Sequence, residues 1–315
     1  MNDAHDLLLS RTEELRSGRT PFVLATVVRA ERPTSAKAGD RAVVLPDGTL
    51  EGFVGGTCAE STVRLQGLRL LETGDSALLR ITPTEPAPGQ EPAASAAGGL
   101  ITVGNPCLSG GTLDIFLEAV LPPMLVHVFG DAPIARAMAR VGAALGYDVR
   151  PTTDPAAPIA PDTTAVVVAS HGRDEPAVLS AALRAGVPYV GLIASRRRGA
   201  AVVAEIDHPD AARVHTPAGL DLGARTAPEV ALSVLAEVLA QRPPVGSPAG
   251  PAGGEVRTAG RPAPRLREAT DPVCGMAVAV TDSTPRAELG DATWYFCGPG
   301  CRDAFTADPT AYRPA

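Results

Sequence analysis

Apolar positions along this chain recur with two different periods, and the change between them is clearest from Met124 to Arg150. Met124 to Phe129 is a short apolar run of mostly β-favouring residues, as a parallel sheet covered on both faces requires. Gly130 ends it. Ile134, Ala137, Met138, Val141 and Leu145 then fall at helical spacing, Gly146 is placed to stop that helix, and Tyr147-Asp148-Val149 resumes a strand. The pattern predicts one βαβ unit at the head of a Rossmann-like half. It continues with a strand at Thr164 to Ala169, a helix from about Glu175 to Arg184, a strand at Tyr189 to Ile193, and a helix opened by Ser195. Thr226-Ala-Pro-Glu229 has capping-box spacing with proline in the first turn, which predicts a helix from Ala227 to about Leu239.

Before Pro122-Pro123 the pattern is shorter-ranged. Asp6 to Leu15 carries Leu7, Leu8 and Leu15 on one helical face, and Phe22 to Val28 is a strand. Arg41 to Leu45 and Leu50 to Val54 flank the turn Pro46-Asp47-Gly48 as a hairpin. A helix is expected from Ser61 to about Leu71, with strands at Ser76 to Ile81 and Thr112 to Leu117. The tract from Pro83 to Ala97 reads as a loop. Pro243 to Arg265, rich in Pro, Gly and Ala without apolar periodicity, reads as a disordered linker. The expected division is an α/β N-terminal domain at 1–121, a Rossmann-like parallel-sheet domain at 122–242, a linker at 243–268 and a very small module at 269–315.

Composition narrows the function classes. A net charge of −7 gives no general electrostatic case for nucleic acid or an anionic membrane. Neither a leader pattern nor an apolar run long enough to span a bilayer is expected, so the cytoplasm is the default location. Five cysteines without an export signal argue for reduced thiols or metal ligands over disulfides.

Those cysteines carry the candidate chemistry. Gly55-Gly56-Thr57-Cys58 and Cys107-Leu108-Ser109-Gly110-Gly111 each set a thiol beside paired glycines at the end of a strand or the start of a helix. Open backbone and free helical N–H groups suit an anion, and a thiolate near a helix N-terminus has a depressed pKa. A thiolate beside open backbone therefore suits a metal-bearing, sulfur-rich ligand with a phosphate tail; the plain alternative is a buried cysteine acting as a small hydrophobe. In the second half, Gly130-Asp131-Ala132-Pro133-Ile134-Ala135 stands where a dinucleotide fold has GxGxxG/A, with Ala132 for the middle glycine and Asp131 adding negative charge. Asp154 is spaced to reach a ribose, or simply makes a turn with Pro155. His171 ends a strand where α/β sheets bind ligands, and the run Arg196, Arg197 and Arg198 either grips a phosphate or pterin tail or forms a solvated helix face. Near the end, Cys274, Cys297 and Cys301 form a C-x22-C-x3-C pattern suited to Cu(I) or Zn(II). No histidine follows His215, so a fourth ligand must be water, Asp271, Met276 or another molecule.

Four segments in order, RPTSAKAGDRAVVLPDGTLEGFVGGTCAE, CLSGGTLDIFLE, YVGLIASRRR and GLDLGARTAPEVALSVLAE, resemble the XdhC/CoxI family over about Pro21 to Gln241. The resemblance implies an accessory factor, not an enzyme, that binds molybdenum cofactor and assists its sulfuration or its insertion into a xanthine or carbon monoxide dehydrogenase. It implies that Gly55, Gly56, Cys58, Cys107, Gly110 and Gly111 line the cofactor site; Gly130, Asp154, His171, Arg196 and Arg197 stay as candidates from the residue pattern of the second half. The partners implied are the large subunit of the apo-hydroxylase, a cysteine desulfurase and a second copy of the chain. GDAPIA is less glycine-rich than is usual in the family, which bears on any nucleotide there and not on the fold. The tail, from DPVCGM through WYFC to CRDAF, resembles a YHS domain, departing from it at Gly298-Pro299-Gly300. A molybdenum–copper centre in the client enzyme would account for both modules. Two other readings stay open: an NAD(P)-dependent oxidoreductase, and a metal-sensing or sulfur-relay scaffold.

Overall fold

The computed structural model describes residues 3–83, 99–105, 111–241 and 266–312, with side chains from residue 6 onward. The expected loop at 83–97, the linker through residue 265 and the turn carrying Cys107 and Gly110 fall almost wholly outside those residues. The chain divides into two compact units, one formed by Met1–Pro122 with Pro264–Ala315, the other by Pro123–Ala263.

In the first unit, α1 (Asp3–Ser17) leads into β1 (Phe22–Glu31), β2 (Arg41–Val44) and β3 (Leu50–Gly52). Then come α2 (Thr57–Thr73), β4 (Ser76–Thr82), β5 (Leu100–Gly104) and β6 (Thr112–Val120). The strands form one sheet in the order β3-β2-β1-β6-β4-β5, antiparallel except for the β4–β5 pair. β5 has no counterpart in the sequence pattern: a five-residue parallel edge strand is defined by its partner, not by its own periodicity. The apolar side chains of β1, β2, β4 and β6 pack against α2 in the main core, while Leu15, Phe22 and Val43 make a smaller one under α1. Gly67 lets α2 lie close on the sheet, since a Cβ there would already touch the Val44 side chain at 3.3–3.4 Å.

The start of α2 corrects the sequence expectation. The helix begins at Thr57, four residues before Ser61, because Gly55 turns the chain at φ +138° and Gly56, extended at φ −74° and ψ 172°, is its N-cap. Cys58 and Glu60 thus lie inside the first turn.

The second unit contains β7 (Leu125–Phe129), α3 (Pro133–Ala144), β8 (Asp148–Thr152), β9 (Thr163–Val168), α4 (Glu175–Arg184), β10 (Tyr189–Leu192), α5 (Arg196–Ala204) and α6 (Ala227–Ala240). Its four strands are all parallel in the order β10-β9-β7-β8, so the topological switch lies between β7 and β9. The predicted βαβ unit is present. Separate cores, one including α3 and α6 and the other α4, cover the two sheet faces. Thr226 and Glu229 close the capping box on α6, and the Ser195 side chain caps α5 by accepting from Arg198 N at 3.4 Å.

Residues 266–312 return to the first unit with β11 (Glu268–Thr270), β12 (Ala277–Ala279), β13 (Arg286–Leu289), β14 (Ala292–Tyr295) and α7 (Pro299–Ala307). β11–β12 and β13–β14 are two-stranded antiparallel ribbons. Phe305 packs against Trp294 and Phe296, with ring centroids 5.4 and 5.3 Å apart. The segment lies along α2. Ala279 joins the main core and Leu266 packs against it, Arg69 pairs with Glu268 at 2.6 Å, and Leu266 N donates to Glu72 at 3.0 Å. α2 is consequently buried on more than its sheet-facing stripe, down to Ser61, Thr62 and Gln66. A helix buried that widely is covered on two sides.

Candidate functional site

Two helices begin at one cavity in the first unit. α2 starts after Gly56 and α7 after Gly298, each N-cap being a glycine without a side-chain cap. The starts are close enough that a Cβ on Gly298 would stand 2.8 Å from the Thr57 methyl. The cavity has a volume of about 620 Å³; Gly56, Cys58 and Gly111 line it from one side, and Cys274, Cys297 and Cys301 from the other. That size lies within the range of small-molecule sites. Asn105 and Thr34 add polar groups to a mainly apolar wall.

Of the six first-half candidates, Gly55, Gly56, Cys58 and Gly111 lie in the described residues; Cys107 and Gly110 lie outside them. Gly55 shapes the turn into α2 and does not itself line the cavity. Gly111 is required by backbone packing, since a Cβ there would sit 2.3 Å from Pro33 O and 2.5 Å from Glu31 O. Glu60, one turn into α2, is pushed upward in pKa by burial, with Arg64 acting against that.

The tail cysteines form a cluster. Cys297 Sγ lies 3.7 Å from Cys274 Sγ, 3.6 Å from Cys301 Sγ and 3.9 Å from Cys58 Sγ. Among the described residues, Asp271, Cys274, Cys297 and Cys301 offer ligand atoms all within 4.8 Å of one another, a set able to hold a metal ion. Asp271 was one of the sequence candidates for a fourth ligand; Met276, another, lines the same cavity. Asp271 is fully buried and accepts from Val273 N at 2.9 Å and from Cys297 N at 2.8 Å, so it fixes the two loops that carry Cys274 and Cys297. The hydrogen bond with Cys297 holds the Cys274 thiol below its ordinary range, and the same contact, with Cys58 and burial added, drives Cys297 up. Cys301 is pushed up to about 12, chiefly by burial. One thiol of the cluster is thus favoured to ionise first.

The second-half candidates scatter across the carboxyl ends of the parallel strands and the loops beyond them. Gly130, at φ +123°, is where the chain after β7 passes the end of β9, and a Cβ there would meet Ala169 O at 2.2 Å. Asp131 forms an ion pair with Arg173 across the switch point. Asp154 accepts from Ala156 N at 2.9 Å in a turn, beside a cavity of about 30 Å³. His171 is exposed in the left-handed region at φ 55°. Arg196 and Arg197 are exposed, whereas Arg198 makes a bidentate pair at 2.7 and 3.1 Å with the buried carboxylate of Glu175.

Sequence reasoning missed a polar cluster in this unit. Tyr189 Oη donates to Glu237 Oε2 at 2.6 Å, Gly219 N donates to the same oxygen at 2.7 Å, and His215 Nδ1 lies 3.1 Å from Glu237 Oε1. Tyr189 and His215 stack at 4.6 Å. Glu237, a carboxylate set among the apolar residues of the second half of α6, was the available signal.

Residues 15–82 match the family model described as the XdhC and CoxI family, and 126–238 match the XdhC Rossmann domain. The chain belongs to the XdhC/CoxI family. Relatives include an uncharacterized protein of Escherichia coli, YqeB, 26% identical over 264 residues, and that organism's molybdenum cofactor insertion chaperone PaoD, 26% identical over 287. These alignments cover 74% and 76% of this chain; the chain spans 46% of the length of YqeB and 89% of PaoD. The crystal structure of a xanthine dehydrogenase from Bacillus halodurans aligns over 76% of this chain and 97% of that one, at 16% identity and a TM-score of 0.36, a likeness too loose to carry argument. Among the described residues, no helix of this family member is long and apolar enough to cross a membrane.

Proposed function

We propose that this chain is a maturation factor for a molybdenum hydroxylase of the xanthine or carbon monoxide dehydrogenase type, with molybdenum cofactor as its cargo. The observation that carries the reading is Cys58, in the first turn of α2, opening onto the 620 Å³ cavity beside Gly56 and Gly111. The positive end of the α2 dipole suits the cofactor's phosphate, and the Cys58 sulfur suits its metal or sulfur end. Family membership and the likeness to a cofactor insertion chaperone support the same reading. The role is accessory: bind, shield and hand over to the large subunit of the apo-hydroxylase, with a cysteine desulfurase supplying sulfur where the cargo is sulfurated. The setting is the cytoplasm, and the working assembly a homodimer. The tail, read as a YHS-like module, holds Cu(I) or Zn(II) through Cys274, Cys297 and Cys301.

The test is retention of cargo. Full-length protein is mixed with molybdenum cofactor, stripped of free ligand and assayed for bound pterin. Wild type is expected to retain the cofactor, and Cys58→Ala and Cys107→Ala to retain about tenfold less or worse. No retention by wild type would sink the reading.

A further inference from the structure

We infer that Cys58 is the fourth ligand of the tail's metal site, so that one thiophilic d10 ion is held by Cys58, Cys274, Cys297 and Cys301. Four thiolates about 2.3 Å from a tetrahedral ion lie about 3.8 Å from one another. The three edges that meet at Cys297 measure 3.6, 3.7 and 3.9 Å, and the last of these runs to Cys58, which stands outside the group of ligand atoms all within 4.8 Å of one another and must close on Cys274 and Cys301 around the ion. The starts of α2 and α7 meet beside it: a Cβ on Gly298 would stand 2.8 Å from the Thr57 methyl.

The competing fourth ligand is Asp271. Its two oxygens already receive the backbone N–H groups of Val273 and Cys297 in a fully buried position, which makes it the clasp of the ligand loops. An outer partner of that kind orients ligands without binding the ion. The polar grip of the tail on α2 is modest, because the Arg69–Glu268 pair is about one-third exposed on both sides. An ion bonded to Cys58 would join α2 to the tail covalently in effect, and every bond in it would be a metal–thiolate bond with one proton released per thiol.

A second consequence rests on the function proposed above: a metal that takes Cys58 withdraws it from the cofactor, so ion and cargo exclude one another.

The decisive experiment is X-ray absorption on the full chain loaded with Zn(II) alone. Four sulfurs and no oxygen or nitrogen are expected in wild type, with three sulfurs and one lighter atom in Cys58→Ser. Asp271→Asn is expected to weaken zinc about tenfold or more while keeping four sulfurs. Three sulfurs and one oxygen in wild type, unchanged by Cys58→Ser, would overturn the assignment, as would failure to retain zinc. Cys58→Ala, followed by circular dichroism, separates a lost ligand from a lost fold. Retained pterin is then compared with and without zinc. A chain that never binds pterin removes the cargo reading and leaves the sulfur count to stand or fall by itself.

Discussion

A methyl group at position 111 would land 2.3 Å from Pro33 O, whereas one at position 56 would meet nothing within 4 Å. The two glycines read alike as sequence and differ as physics: Gly111 lets two backbones pass, and Gly56 caps a helix at the mouth of a cavity. Gly111→Ala is therefore expected to destabilise the protein by about 2 kcal/mol, and Gly56→Ala by less than about 1 kcal/mol, read as shifts of the denaturant midpoint at constant slope. The thiols differ just as sharply. Cys274 is held low by its contact with Cys297, while Cys301 is pushed up to about 12. In metal-free protein near neutral pH, timed alkylation followed by peptide mapping should label Cys274 well before Cys301. Equal labelling would show that burial, not thiolate content, sets the rates.

Among the elements, β4 and β6 are tied by Arg80 and Asp114, which face each other in register and meet at 2.7 and 3.0 Å. The Arg80 hydrogen bond holds the Asp114 carboxyl below its usual range. Its stabilisation is accordingly complete above the unfolded value of about 3.9 and is lost as pH falls through the lower folded value. Asp114→Asn should cost about 1–2 kcal/mol at pH 7 and flatten the acid side of the stability profile, measured by urea melts from pH 2 to 7. α2 shows how far local pattern reaches. Its body, with Val63 and Leu70 facing the sheet, was legible as a helix from Ser61 onward. Its early start was hidden because two glycines mask a cap, and its second covered face was hidden because Ser61, Thr62 and Gln66 look like solvent positions. The βαβ unit and the capping box were legible because each is written in one continuous stretch of chain. β5, the tail's resting place and the Tyr189–Glu237–His215 cluster were not, because each depends on partners dozens of residues away. Ala279→Asp, a charge forced into the main core at that resting place, should cost about 3 kcal/mol. Hydrogen exchange should then rise in α2 and stay unchanged in α3 and α6.

The molecule as a whole holds two sets of cores that share no residue, one in each unit. Calorimetry is expected to resolve two transitions, of which only the one that Ala279→Asp lowers should rise with zinc. At about 100 times the dissociation constant that rise corresponds to about 2.7 kcal/mol. A single transition shifted as a block would contradict independent cores. The contact between Gly298 and Thr57 has a consequence on another timescale. A lineage that enlarges residue 298 must shrink residue 57 or lose the seat of its tail, and one that sheds the tail is released from both restraints together. Positions 57 and 298, 241 residues apart in the chain, should thus drift as a linked pair in descendants that keep the tail and independently in those that do not.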